Sequence, residues 1–156
     1  MINNLEIILT LENIYLISNF GILPFWMMLI FIPNHNLTKI LVHSIVPFLI
    51  LASAYIFVGY KIFLEKNFFD SFDLYFGLEG LYSVYSNESF LLIFWLHFLS
   101  ISLFTGSWIA RDSIKYSIPK IITILSLVLT YFTGPIGVIF YWFFRIFFSK
   151  KISFNE

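Results

Sequence analysis

Four stretches of this chain, 13–34, 40–60, 89–110 and 121–144, hold no Asp, Glu, Lys or Arg. Polar interruptions are few: His43 lies in the second stretch and His97 in the third. Each stretch is bounded by charge or by Pro, Asn or Gly. About 20 mostly apolar residues suffice for a helix to cross a bilayer. In lipid a helix satisfies its own backbone hydrogen bonds. The pattern therefore predicts an all-α integral membrane four-helix bundle, a single membrane domain over 1–156. Its helices run over about 13–34, 40–64, 89–110 and 119–148.

The longest connection, between the second and third helices, carries FFDSFDLYFGLEGLYSVYS. Phe68, Phe72, Phe76, Tyr82 and Tyr85 recur there at near-helical spacing among Asp70, Asp73 and Glu79. That predicts an amphipathic segment at the membrane surface over about 67–86, with an aromatic-rich loop as the alternative. Residues 2–12 read as a short interfacial lead-in. They place Glu6 and Glu12 where a signal peptide has Lys or Arg, and they do not resemble an Arg-rich transit peptide. Pro24, Pro47 and Pro135 predict kinks in three helices. Two glycines flank the last in TGPIG, so close helix packing is expected there too. Basic residues do not orient the bundle. Lys39, Arg111, Lys115 and Lys120 fall on one side, and Lys61, Lys66, Arg145, Lys150 and Lys151 on the other.

Composition supports the membrane reading. Charged residues make up 12% of the chain, against about 25% in soluble domains. Net charge is zero, so there is no basic footprint for nucleic acid. Without cysteine there can be no disulfide, thiolate metal site or cysteine nucleophile. The spacing of His35 and His43 matches no metal motif. A haem held by His43 and His97 rests on a single histidine pair. No metal or other cofactor is expected.

The third helix carries the candidate chemistry. At 100° per residue, His97, Ser100, Phe104, Ser107, Trp108 and Arg111 share one arc, opposite Leu99, Leu103, Gly106 and Ala110. Ser102 lies off that arc. The polar arc is expected to face the bundle, because an ionisable residue in a span is costly unless it has a partner or a function. A neutral His97 bonded to another helix is the structural alternative. Arg111 and Asp112, at the helix end, read as interfacial anchors.

The ordered motifs LPFWMMLIFIPNHNLTK, PFLILASAYIF, FGLEGLYSVYSNESFLLIFWLHFLSISLFTGSWIARD and FTGPIGVIFY resemble a known family. It is the abscisic-acid-deficient type of neoxanthin-synthesis membrane protein, small four-helix proteins of plants, algae and bacteria. The resemblance runs over about 19–141. It implies carotenoid chemistry: violaxanthin becomes neoxanthin when an epoxide opens, a proton leaves the polyene, and an allene and tertiary alcohol form. Such an isomerisation needs an acid and a base but no redox cofactor. Asn19, Pro24, Trp26, Pro33 and Thr38 match the first motif, and Glu79 and Gly80 the interfacial one. Trp95, His97, Gly106 and Trp108 match the third, and Gly134, Pro135 and Gly137 the last. Ser102 and Ser107 stand where the family usually carries an acid and an arginine, as though an ion pair were lost together.

The resemblance implies His97 and Glu79 as acid and base. Trp26, Trp95, Ser100, Phe104, Ser107, Trp108 and Arg111 would contact substrate. The expected partners are membrane lipid and a carotenoid. The expected location is a bacterial cytoplasmic or a photosynthetic membrane. A non-catalytic carotenoid- or lipid-binding subunit is the rival reading. Transport is weaker, since no carboxylate sits in a central span.

Overall fold

A computed structural model describes residues 10–64 and 69–150. All regular structure among them is helical. The elements are α1 (Leu11–Phe31), α2 (Asn36–Leu41), α3 (Val46–Leu64), a 310 segment (Phe69–Tyr75), α4 (Leu78–Tyr85), α5 (Glu88–Lys115), α6 (Lys120–Thr133) and α7 (Pro135–Ser149). Three runs are long and apolar enough to cross a membrane: Leu11–Phe31, Asn36–Leu64 and Glu88–Lys115. The lead-in expected over residues 2–12 falls almost wholly outside the described residues, as do Lys66, Phe68 and Lys151.

The chain divides into two compact units. Met1–Gly21 and Phe48–Leu99 form the first, and Ile22–Pro47 and Ser100–Glu156 the second. Helices α1 and α5 each contribute a half to both.

Helix α5 buries a continuous line of residues, Leu92, Leu96, Leu99, Leu103, Gly106, Ala110 and Ser113, widened by Ser89 at its start and by Ser102, Ser107, Ile109 and Asp112 in its second half. The steps of four, three, four, three, four and three are those of a helix-packing seam. The expectation that its polar arc turns inward is corrected. The buried side is the one carrying Leu99, Leu103, Gly106 and Ala110, whereas His97, Phe104 and Arg111 are exposed. Leucines at this spacing interdigitate with neighbours, and no comparable repeat exists on the arc through His97. Ser107 is the member of that arc that is buried.

In the first unit, the 310 segment and α4 fold onto each other. A side chain at Gly80 would run into the carbonyl of Asp73, so glycine permits that contact. Exposure varies along the described part of the segment expected at the membrane surface. Phe72, Phe76, Glu79 and Tyr82 are exposed, whereas Val84 is buried.

The second unit corrects the expected fourth span. The apolar run is two helices, α6 and α7, folded back on one another. Gly134 breaks the run with φ 63°, a left-handed value that glycine adopts without strain. Pro135 then starts α7, where its missing N–H and fixed φ suit the first helical position. A Cβ at Gly137 would overlap the backbone of Thr130. In a continuous helix residues seven apart are separated by roughly 10 Å along the axis, so that contact requires reversal. The facing surfaces are small or hydroxylated: Thr123, Ser126 and Thr130 on α6 and Gly137 on α7 are buried. Ser126 donates to the Ile122 carbonyl at 2.7 Å and Thr130 to the Ser126 carbonyl at 2.8 Å. Each hydroxyl is thus satisfied within its own helix while the two backbones approach.

Of the prolines expected to kink helices, Pro24 lies inside α1, which runs unbroken from Leu11 to Phe31. Pro47 falls in the first turn of α3, following the break at 42–45.

Candidate functional site

His97 opens into a cavity of about 460 Å³ in the first unit. Tyr55, Gly59 and Ile62 of α3 form one wall. Leu74 and Tyr75 of the 310 segment, with Val84 and Tyr85 of α4, form a second. Phe90, Ile93, Phe94 and His97 of α5 complete it. The volume lies within the roughly 300–1,000 Å³ usual for small-molecule sites. The lining is mainly aliphatic and aromatic, with one imidazole and three phenols as its hydrogen-bonding side chains. Edge-on packing of Tyr85 against Phe94, centroids 5.1 Å apart, joins α4 to α5 at the cavity wall. A Cβ added at Gly59 would be in ordinary van der Waals contact with Ile93, so α3 and α5 approach closely at this wall.

Glu79 does not join His97. It is exposed in the first turn of α4 and does not line the cavity. Tyr55, Tyr75 and Tyr85 are the additional polar residues that line the same cavity as His97. Sequence reasoning did not select them, since isolated tyrosines in an aromatic-rich chain give no distinguishing pattern.

Trp95 occupies another side of α5 in the same unit. Its Nε1–H donates to Asn19 Oδ1 at 2.9 Å, and its ring stacks on Phe98 with centroids 5.3 Å apart. It lines a different cavity of about 480 Å³, with Glu12 and Tyr15 of α1 and Glu88 and Leu91 of α5. Ser100 is half-buried and Phe104 exposed on α5.

The remaining expected contacts lie in the second unit. Trp26 is buried, with its ring against Gly106 and edge-on to Tyr131 at 5.4 Å. Among the described residues, its Nε1 is the one buried side-chain nitrogen or oxygen without a hydrogen-bond partner. Trp108 meets Tyr141 edge-on at 5.5 Å and stacks on Trp142 at 6.3 Å. Arg111 is exposed and donates from Nε to the Ser107 carbonyl at 3.4 Å.

Ser107 is bound to His43, 2.7 Å from its Nδ1. The other ring nitrogen, Nε2, lies 3.2 Å from the Pro33 carbonyl. A carbonyl only accepts, so Nε2 carries the proton. In the neutral ring Nδ1 is then an acceptor, and Ser107 donates to it. The arrangement resembles a serine–base pair, but Ser107 is 3% exposed and lines none of the cavities described above. It ties α5 to the turn between α2 and α3.

A charged pair is present, in a place the sequence did not indicate. Arg145 of α7 donates from Nε to Asp112 Oδ2 at 2.6 Å and from its terminal nitrogen to Oδ1 at 3.2 Å. Tyr141 donates to Oδ2 at 2.7 Å. Tyr116 and Trp142 lie 4.8 and 4.9 Å from the guanidinium. Arg145 is fully buried and Asp112 is 9% exposed. Asp112 is therefore paired inside the protein, and α5 takes part in an ion pair although Ser102 and Ser107 are uncharged. Among the described residues no three of His, Asp and Glu converge as a metal site.

The chain matches the family model described as ABA DEFICIENT 4-like over residues 13–141. It is 25% identical over 131 residues to Protein ABA DEFICIENT 4, chloroplastic, of Arabidopsis thaliana. That alignment covers 82% of this chain and 58% of the relative, so the chain spans somewhat more than half of the plant protein's length. No solved structure matches.

Proposed function

Because the chain belongs to the ABA DEFICIENT 4-like family, we propose that it takes part in xanthophyll metabolism in a membrane, binding the end ring of a carotenoid in the cavity beside His97. The observation that carries this reading is the cavity itself: one imidazole and three phenols in an otherwise aliphatic and aromatic pocket of about 460 Å³. That volume suits one end of a long apolar molecule, with the polyene lying along the helices. The plant relative is named for abscisic acid deficiency and for the chloroplast. A photosynthetic membrane is therefore the location favoured for this chain.

For an isomerisation of an epoxycarotenoid, the reacting end needs a hydrogen-bond donor at the epoxide oxygen and a base at the proton that leaves. His97 is the base in this reading. A cavity tyrosine, in place of the expected Glu79, is the donor. The C–O bond of the epoxide breaks as the polyene C–H bond gives its electron pair to the new allene, and the oxygen takes up a proton. Atoms and charge balance without a co-reactant. Purified protein in lipid, supplied with violaxanthin, is expected to form neoxanthin. His97→Gln should reduce the rate by about 10²–10⁴-fold, and Glu79→Gln should leave it unchanged. Equal turnover by wild type and His97→Gln would refute this role for His97.

A second reading, carotenoid binding without chemistry, is favoured by the exposed position of Glu79 outside the cavity. It predicts pigment retained through purification and recovered unaltered. Substitution of Gly59 by Leu would fill the cavity and is expected to abolish retention.

A further inference from the structure

We propose that α6 and α7 form a re-entrant hairpin, an apolar wedge that enters and leaves the bilayer on one face and takes acyl chains as its partner. Both ends of the pair lie at the C-terminal end of α5. Lys120, at the start of α6, lines a cleft of about 350 Å³ with Ser113 and Ile114 of α5 and with Ile118 of the turn that follows it. At the far end of the pair, Arg145 is bound to Asp112, and Trp142 stacks on Trp108. Helices of 14 and 15 residues extend roughly 21–23 Å, short of the roughly 30 Å hydrocarbon core.

The apex is built to sit in lipid. No charged residue lies between Lys120 and Arg145, and Phe132 and Ile136 beside the turn are 71% and 57% exposed. An unpaired backbone donor there would be costly. Gly134 N–H bonds to the Thr130 carbonyl at 2.9 Å, the Thr133 hydroxyl bonds to the Leu129 carbonyl at 2.7 Å, and Pro135 has no N–H. The negative end of the α6 dipole also adjoins the positive end of α7, so each offsets the other.

The chain has no cysteine, which makes a direct test simple. Ser117→Cys, Thr133→Cys and Lys150→Cys are made singly, and each is treated with a membrane-impermeant maleimide in intact cells and in inverted vesicles. Monodisperse elution in detergent verifies that each variant is folded. Ser117→Cys and Lys150→Cys are expected to react in the same preparation. Thr133→Cys should lose all labelling in both and regain it only after unfolding. Labelling of the two ends from opposite faces overturns the proposal. So does reaction of Thr133→Cys at the face opposite Ser117→Cys.

Discussion

Arg145 and Asp112, 33 residues apart, meet through two hydrogen bonds that join the last helix to the end of α5. The carboxylate is further held by Tyr141, and the guanidinium lies between the rings of Tyr116 and Trp142. The pair is almost entirely out of solvent, so its partners depend on one another. Asp112→Ala leaves a buried cation unpaired and is expected to destabilise the protein by about 3–5 kcal/mol. Asp112→Leu combined with Arg145→Met should cost much less than the sum of the single changes. The surviving monodisperse fraction after graded heating in detergent measures both.

Ser107→Ala removes the hydroxyl from His43 Nδ1 and should cost about 1–3 kcal/mol. The expected ring form is specific: the proton resides on Nε2, facing Pro33. Nitrogen NMR of ring-labelled histidine checks it, and a proton on Nδ1 in the wild type would contradict the assignment.

Gly137→Val places a branched side chain where the Thr130 backbone lies. It is expected to destabilise by about 3 kcal/mol or more, through overpacking that neither backbone can relieve. Gly21→Ala is the matched control. That glycine is helical and exposed, and nothing lies within 4 Å of an added Cβ. It should be neutral or stabilise by about 0.5–1 kcal/mol. The two variants compared in one thermal series separate crowding at the α6–α7 crossing from a general effect of losing glycine.

A basic rim also predicts orientation. Among the described residues the exposed charges of the second unit are Lys39, Arg111, Lys115, Lys120 and Lys150, its acid Asp112 being bound to the buried Arg145. Under the re-entrant hairpin proposed above, these bases gather on one face instead of dividing four against five. That face is expected to be the cytoplasmic or stromal one. A green fluorescent protein fused after Glu156 and expressed in bacteria should fluoresce, and a phosphatase at the same point should be inactive. The reverse pair of results would contradict the assignment.

The three long apolar runs were legible because charge-free length is itself the physical requirement for crossing a bilayer. Their limits, Leu11–Phe31, Asn36–Leu64 and Glu88–Lys115, lie close to the expected ones, although the second run is broken at 42–45 between α2 and α3. The hairpin was only half legible. Gly134 and Pro135 announced a break and close packing, but hydropathy records how apolar a stretch is and not whether it turns back. Reversal depends on Gly137 meeting Thr130, a contact with no one-dimensional signature. His97 was found because histidine is rare in a span, although its surroundings were misjudged. The arc containing it was assigned inward on polarity, whereas the leucine repeat from Leu92 to Leu103 decides which side packs. Arg145 went unpaired in the sequence because nothing there links positions so far apart on different helices.

The bond between Arg145 and Asp112 is also expected to set an order of assembly during synthesis. A guanidinium alone in hydrocarbon costs several kcal/mol, and α7 carries no acid of its own. It has no stable place in the bilayer until the preceding long helix is already there to receive it. A ribosome stalled before residue 145 should therefore leave a nascent chain whose last segment is still loosely held by the insertion machinery. Release should come with the arrival of that one side chain.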